Sequence, residues 1–282
     1  QVWLKAENLL PSGAYKYRGA MNKITSLIER YGKELRIVTA SSGNHGMACA
    51  LAARNLGVQA NVVVPVSTPQ VKKDSIRALG ANLVEVGATY DESFVSACEL
   101  AEKEHLYYVH PTSDRYTVGG QGTISLEILD QCPQVEQIVV PIGGGGLITG
   151  IALTMKTLKP SVKIYGVMPV GSAVYVESRR QGQLVTLDHC SSMADAVVRK
   201  TGEEYLYPYI EKYVDDIFTV TEDSIRQAVR TACLYGKLTL EGSGALALAA
   251  LLEKKCPLSP GTVLICSGGN IDKAVLDLCM QA

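Results

Sequence analysis

The chain carries almost no excess charge, since 27 lysines and arginines face 28 aspartates and glutamates for a formal net charge of −1 over 282 residues. Such a balance argues against nucleic acid or an anionic membrane surface as the main partner. No stretch of about 18 uncharged apolar residues occurs, so we expect no membrane-spanning helix. No signal peptide is visible. These absences favour a globular protein of the cytoplasm.

Recognisable metal-ligand patterns are also absent. The four histidines have no metal-ligand spacing, and the eight cysteines form no C-x-x-C motif, so we expect no metal site. Most cysteines lie in apolar segments, where a free cysteine packs as a small core residue. We therefore expect a reducing cytoplasm and no disulfide bonds.

Glycine, in contrast, is abundant, with 26 residues, of which four are consecutive, Gly143 to Gly146. They lie between a strand-like apolar run, 138–142, and a helix-like run that begins at Leu147. Four glycines in a row cost backbone entropy, and close wrapping around an anion at a helix N-terminus gives a reason for that cost. A flexible turn is the alternative. Because neither G-x-G-x-x-G nor Gly-Lys-Ser/Thr is matched, we expect a phosphate that does not belong to an ordinary nucleotide.

Short apolar strands alternate with amphipathic helices along the chain. This pattern predicts an α/β fold of two domains, each a mainly parallel sheet flanked by helices, with the ligand in the cleft between them at the carboxyl ends of strands. Residues 171–213 are less regular, and we expect loops there. The predicted strands are 36–41, 60–65, 82–86, 106–109, 137–141, 162–167, 217–220 and 262–266. The predicted helices are 44–55, 69–79, 91–103, 119–129, 147–158, 222–235, 244–252 and 272–279.

Lys16 follows a Pro-Ser-Gly turn and lies between two tyrosines. A lysine in an apolar pocket has a lowered pKa and can attack a carbonyl carbon to form a Schiff base. A surface lysine beside two tyrosines is the alternative.

Two further turns follow predicted strands. The first, Ser41 to Gly46, opens a helix, and its hydroxyl, amide and backbone N–H groups suit a carboxylate, although Ser42 could equally be an N-cap. The second begins at Ser267 and is either a simple turn or a contact with a ligand. A reactive lysine, a carboxylate loop and a phosphate loop together indicate pyridoxal phosphate, which has an aldehyde, a phosphate and an electron-withdrawing ring.

In these motifs the chain resembles the fold-type-II pyridoxal-phosphate enzymes of the threonine/serine dehydratase and serine racemase family. The resemblance covers about residues 2–272. The resemblance implies that Lys16 bonds to the cofactor aldehyde, that Asn44 contacts the ring 3′-oxygen and that Ser267 faces the pyridine nitrogen. The implied cofactor-binding residues are Lys16, Asn44, Gly143, Gly144, Gly145, Gly146, Leu147, Glu241 and Ser267. The implied substrate-binding residues are Ser41, Ser42, Gly43, Asn44 and His45, and the catalytic residues are Lys16 and Ser42.

The same resemblance implies an organisation for the chain. A small domain of residues 36–113 is expected to be inserted into a large domain of residues 1–35 and 114–282. A homodimer or homotetramer that acts on a small amino acid is also implied. Known members begin earlier and this chain begins at Gln1 rather than at methionine, so we expect a front segment to be missing.

The resemblance implies first an ammonia-lyase (dehydratase) that converts a β-hydroxy-α-amino acid such as serine, threonine or a larger analogue into a 2-oxoacid and ammonia. The alternative is an amino-acid racemase with elimination as a side activity, because in racemases a serine matching Ser42 lies opposite the lysine as a second acid/base. A third hypothesis is an inactive ligand-binding paralogue. The retained Lys16, Asn44 and Ser267 argue against it.

Four positions depart from the family pattern. Ala14 and Tyr15 replace the usual Ser-Phe before the lysine, which puts a phenol near the cofactor. Met168 occupies the position of a glutamate that binds a divalent metal in racemase-like members, and a thioether is a poor ligand for such ions. Phe94 replaces an arginine that racemases bring to the substrate carboxylate, and Ala196 replaces a glycine. We therefore expect a substrate larger or more apolar than serine.

Overall fold

The computed structural model describes residues 2–281 and divides into two compact units. Unit 1 comprises residues 1–15 and 121–282, and unit 2 comprises residues 16–120. The strands are β1 (Val2–Ala6), β2 (Arg36–Ala40), β3 (Gln59–Val64), β4 (Asn82–Glu85), β5 (Tyr107–Tyr108), β6 (Gln137–Pro141), β7 (Lys163–Pro169), β8 (Asp216–Val220) and β9 (Thr262–Cys266). The α-helices are α1 (Lys16–Tyr31), α2 (Asn44–Leu56), α3 (Gln70–Ala78), α4 (Tyr90–Lys103), α5 (Arg115–Gln131), α6 (Gly146–Leu158), α7 (Val174–Gln181), α8 (Tyr207–Tyr213), α9 (Glu222–Thr231), α10 (Leu246–Leu252) and α11 (Lys273–Gln281).

Unit 2 contains a four-stranded parallel sheet in the order β4-β3-β2-β5. Alternate residues of β2 serve two different cores. Ile37 packs with residues of α1, α2 and α3, whereas Val38 and Ala40 pack with α4. Because both faces of the sheet are covered, its central strands are continuous apolar runs rather than alternating ones. The helix α2 starts just past the carboxyl end of β2.

Unit 1 contains a five-stranded parallel sheet in the order β1-β9-β6-β7-β8. Every residue of β6 and of β9 is buried. These two strands are neighbours, with Val139 opposite Leu264. Their carboxyl ends therefore lie at the same edge of the sheet, which brings the four glycines and Ser267 to one side of unit 1.

The two parallel sheets flanked by helices confirm the predicted α/β class. Several element bounds were wrong: α5 begins at Arg115, α9 ends at Thr231 and passes into a π-helix over Ala232–Gly236, and β5 has two residues. Residues 171–213 carry the expected loops between 182 and 206, and they also contain α7 and α8. The predicted small domain, 36–113, lies within unit 2, and its bounds stay a prediction. In the described part of the chain, no helix combines the length and the apolar character that crossing a bilayer requires.

Candidate functional site

The four glycines form the turn from β6 into α6, which begins at Gly146. Gly145 is the N-cap and has a φ of +95°, in the left-handed region that side chains disfavour. A Cβ on Gly145 would also lie 2.6 Å from Ile210 Cδ1, and one on Gly143 would lie 3.0 Å from Val197 Cα. Both positions therefore require glycine. The first N–H groups of α6 have no partner within the helix and lie at the positive end of its dipole, so this turn fits the phosphate of the implied cofactor.

Tyr175 of α7 lies against this turn, and sequence reasoning missed it. Its side chain is fully buried. The hydroxyl donates a hydrogen bond to Gly144 O at 3.0 Å and accepts one from Glu203 N at 2.9 Å. No motif marks this tyrosine, because its partners lie about thirty residues away in either direction along the chain.

The second glycine-containing turn of unit 1 brings Ser267, Glu241 and Tyr15 together. Ser267 is buried, and its Oγ donates to Ser243 O at 3.4 Å. The carbonyl of Ser267 accepts from Tyr15 N at 3.0 Å, and that of Gly268 accepts from Glu241 N at 3.1 Å. Two of the predicted cofactor-binding residues, Glu241 and Ser267, thus share one turn at the carboxyl end of β9.

The phenol of Tyr15 lies in a charged neighbourhood within unit 1. Burial and the nearby Glu241 carboxylate raise the pKa of Tyr15, while the Arg199 guanidinium acts in the opposite direction. The hydroxyl therefore stays protonated at neutral pH. Tyr15 precedes Lys16 directly, so the backbone bond to Ser267 fixes the chain one residue before the candidate lysine.

Lys16 is the first residue of α1 in unit 2 and is half-buried. Its Nζ donates a hydrogen bond to Pro111 O at 2.8 Å. Burial lowers the pKa of His45 and raises that of Cys49, and the positive charge of Lys16 acts on both groups in the lowering direction, which places the amine in the same part of unit 2 as the start of α2.

The Ser41–His45 segment joins β2 to α2. Gly43 is the N-cap of α2 and no side-chain hydrogen bond caps the helix, so the alternative that Ser42 is the N-cap is wrong. Ser41 Oγ accepts a hydrogen bond from Gly43 N at 3.3 Å. Ser42 and Asn44 are half-buried. The N–H groups of the first turn of α2 provide an anion site of the kind expected for a substrate carboxylate.

His45 differs from its predicted environment, because its imidazole is only 3% exposed. Nε2 lies 3.0 Å from Val109 O, which fixes it as the protonated nitrogen that donates to this carbonyl. Burial, and then the charge of Lys16, lower the pKa of His45 to about 3. The ring is therefore neutral at physiological pH and bonded inside unit 2. Only the backbone N–H of His45 fits the predicted role in carboxylate binding.

This burial predicts a loss of stability in acid. Between pH 6.5 and pH 3 the unfolded state binds a proton at His45 that the folded state excludes, so the free energy of unfolding falls as the pH falls. From pH 6.5 to pH 5 the histidine should cost about 2 kcal/mol. Urea titrations should show this loss in the wild type and not in His45→Gln, which keeps an N–H donor. The exposed His105→Asn variant is the control, and an equal acid loss in His45→Gln would contradict the assignment.

The remaining departures from the family pattern lie in both units. In unit 2, the ring of Phe94 contacts Tyr108 edge to face, with centroids 5.7 Å apart. In unit 1, Met168 is fully buried in β7. Ala196 belongs to a short 3₁₀ helix, Asp195–Val197, that packs against the glycine turn. Among residues 2–281, no three or more His, Cys, Asp and Glu side chains are arranged to hold a metal ion.

The structure thus gathers the predicted residues into two groups. At one edge of the unit 1 sheet are Gly143 to Gly146, Leu147, Glu241 and Ser267. In unit 2 are Lys16 and the Ser41–His45 segment. Each group contains an anion site at a helix N-terminus, and unit 2 adds an amine. This chemistry fits a phosphate, a carboxylate and an aldehyde.

Comparisons with known proteins extend over the whole chain. A family model described as "Pyridoxal-phosphate dependent enzyme" matches residues 1–268. An L-threonine ammonia-lyase of Thermotoga maritima is 37% identical over 277 residues, which are 98% of this chain and 69% of that protein. A serine racemase of Rattus norvegicus is 39% identical over 288 residues, covering 100% of this chain and 86% of the racemase.

Among the similar solved structures are a threonine deaminase and a serine racemase. The processed form of threonine deaminase isoform 2 from Solanum lycopersicum matches with a TM-score of 0.93 and 36% identity, covering 99% of this chain and 82% of the deaminase. Maize serine racemase matches with a TM-score of 0.91 and 34% identity, covering 100% of this chain and 87% of the racemase.

Proposed function

We propose, because this chain belongs to the family of pyridoxal-phosphate dependent enzymes, that it is an ammonia-lyase that converts a β-hydroxy-α-amino acid into a 2-oxoacid and ammonia. The observation that carries the proposal is Ser267, which has a neutral hydroxyl at the position expected to face the pyridine nitrogen. Its Oγ donates a hydrogen bond to Ser243 O within unit 1. The residue at this position is thus a neutral serine and not an aspartate or glutamate.

Several residues would hold the cofactor. In unit 1, the N–H groups of Gly143 to Gly146 and of Leu147 would bind the phosphate, and Glu241 and Ser267 would lie beside the ring. In unit 2, Asn44 would contact the ring oxygen and Lys16 would bond to the aldehyde. When bound, the cofactor supplies an electron-withdrawing ring that stabilises negative charge on the substrate Cα.

Two groups of unit 2 act on the substrate in this proposal. The first-turn N–H groups of α2 bind its carboxylate and so fix which Cα bond faces the amine. Lys16 Nζ, once freed, takes the Cα proton as general base. Its hydrogen bond to Pro111 O in this structure orients the amine by a contact inside unit 2.

Ser267 favours elimination over transamination. A serine hydroxyl does not keep a pyridine nitrogen protonated as an aspartate would. Negative charge at Cα is then less stabilised, so prompt loss of the β-hydroxyl competes well with reactions that need a long-lived carbanion. The expected products are a 2-oxoacid and ammonia.

A racemase is the second candidate, and the environment of Ser42 favours it. The hydroxyl does not cap α2, so helix capping does not explain a serine at this position. Racemisation requires two acid/base groups on opposite sides of Cα, and Lys16 and Ser42 would supply them. An inactive ligand-binding paralogue is the weakest candidate, because it gives no reason to retain Lys16 together with the glycine turn.

One experiment separates these candidates. The purified protein is incubated with L- and D-enantiomers of serine, threonine and phenylserine, and 2-oxoacid, ammonia and enantiomeric composition are measured. We expect 2-oxoacid as the main product, with phenylserine turned over at least as well as serine because of Phe94 and Met168. Inversion without 2-oxoacid would establish the racemase instead. Turnover of serine and threonine far above that of phenylserine would refute the larger substrate.

We also propose that the protein is cytoplasmic and assembles as a homodimer or homotetramer. Its near-neutral net charge and the assembly that the family resemblance implies support this proposal. Light scattering of the purified protein measures the assembly directly, and a monomeric mass at micromolar concentration would contradict it.

A further inference from the structure

We infer that Tyr175 is a positioning residue that orients the glycine turn for the cofactor phosphate. The inference rests on the proposed function, because it assumes that this turn binds that phosphate. Tyr175 lies on α7, outside every motif that identified the site. Its hydroxyl bonds to Gly144 O, and Gly144 is the second glycine of the turn.

The first argument is the planarity of the peptide bond. In a trans peptide, the C=O of one residue and the N–H of the next point in opposite directions. No cis peptide bond occurs in residues 2–281. The hydrogen bond that directs Gly144 C=O toward Tyr175 therefore directs Gly145 N–H away from Tyr175. Gly145 N–H can then donate a hydrogen bond to an anion that binds on the side of the turn opposite Tyr175.

The second argument is that glycines leave room for the ring. A Cβ on Gly145 would lie 3.0 Å from the Tyr175 hydroxyl oxygen, and a Cβ on Gly202 would lie 2.6 Å from Tyr175 Cζ. Two glycines thus flank the phenol, one from the turn and one from the segment before α8. The backbone of both glycines thus approaches the phenol so closely that no side chain fits between them, and this close packing restricts the position of the ring.

The third argument is that the hydroxyl has both of its hydrogen bonds in place. Glu203 N donates to it at 2.9 Å while it donates to Gly144 O. Burial raises the pKa of Tyr175, so the hydroxyl remains protonated and keeps its role as donor. The bond from Glu203 N leaves Gly144 O as the acceptor for the hydroxyl proton, so the direction of the contact is determined.

The test compares two ligands that differ only in the phosphate. The holoenzyme is stripped of cofactor, and the dissociation constants of pyridoxal phosphate and of pyridoxal are measured by absorbance titration. In Tyr175→Phe, which keeps the ring and loses the hydroxyl, we expect pyridoxal phosphate to bind about fivefold more weakly, as for one lost hydrogen bond. Pyridoxal binding should not change, because pyridoxal has no phosphate to be oriented.

The matched control is Tyr207→Phe. Tyr207 stacks on Tyr175, with ring centroids 6.5 Å apart, but its hydroxyl donates to Ser178 O rather than to the glycine turn. This variant should leave both dissociation constants unchanged. A second perturbation is Gly202→Ala, whose methyl would displace the ring with the hydroxyl still present. It should weaken pyridoxal phosphate binding selectively.

The outcomes are distinguishable. If Tyr175→Phe weakens both ligands equally, or weakens neither, the hydroxyl has only a structural role or none, and the inference is wrong while the proposed function stands. If the wild-type protein binds neither ligand, the proposed function is wrong and the inference falls with it. A selective loss in Tyr175→Phe and Gly202→Ala, with Tyr207→Phe unchanged, supports the inference.

Discussion

Lys16→Ala is expected to abolish the visible absorbance of the bound cofactor and to reduce the release of 2-oxoacid by at least about a thousandfold. The variant loses the only amine assigned to the aldehyde and, with it, the general base, whose removal costs about 10² to 10⁴ in rate by itself. Lys16 is the first residue of α1, and alanine has the highest helix propensity, so the helix should persist. The measurements are an absorbance spectrum of the purified protein and a 2-oxoacid assay.

Lys23→Ala is the matched control for this prediction. Lys23 lies on the same helix and forms an ion pair with Asp114 at 2.6 Å, so its removal also takes a charged amine from α1. We expect Lys23→Ala to keep the absorbance and most of the activity. If Lys16→Ala retained the absorbance, or if both variants lost it equally, the assignment of Lys16 to the aldehyde would be refuted.

The α/β class can be predicted from the sequence because strands that are buried on both faces of a sheet consist almost entirely of apolar residues. β6 and β9 are apolar at nearly every position, as expected for central strands of a parallel sheet covered by helices. A helix that begins directly after such a strand starts at the carboxyl edge of the sheet. The alternation of strands and helices therefore predicts that Gly146 and Asn44, which begin α6 and α2, lie at such edges.

Other elements carried a weaker signal. α7 and α8 have eight and seven residues, which is about two turns each, so the helical period repeats too few times to be recognised. α1 is different, because Ala20, Ile24 and Leu27 are buried at a helical spacing that the sequence displays. The sequence therefore carries the helical signal of α1, although this helix is absent from the predicted elements.

The polar contacts of the site were not readable, because they join residues distant in sequence. The motif at the start of α2 marked His45 as a substrate residue, yet its imidazole bonds to Val109 O, 64 residues later. Tyr175 bonds to Gly144 O, 31 residues earlier. A motif defines backbone geometry near itself, whereas the partner of a buried side chain is decided by tertiary packing.

Ser42→Ala is expected to remove any activity on the D-enantiomer while largely sparing elimination from the L-enantiomer. A racemase must protonate and deprotonate Cα from both sides, and Ser42 is the group assigned to the side opposite Lys16. Loss of one such acid/base group costs about 10² to 10⁴ in rate. The α2 helix should be unaffected, since Gly43 rather than Ser42 is its N-cap. Chiral analysis of serine and the 2-oxoacid assay measure the two activities.

Ser41→Ala separates the role of the Ser42 hydroxyl from that of the loop as a whole. Ser41 Oγ accepts a hydrogen bond from Gly43 N, so this variant loosens the carboxylate site without removing the hydroxyl assigned to acid/base chemistry. It should lower activity on both enantiomers to the same extent. An unchanged rate of racemisation in Ser42→Ala, or a wild-type protein that acts on the L-enantiomer alone, would show that Ser42 is not a second acid/base group. The first result would assign the second acid/base role to a group other than Ser42, whereas the second would identify the protein as a dehydratase in which Lys16 is the sole acid/base group at Cα.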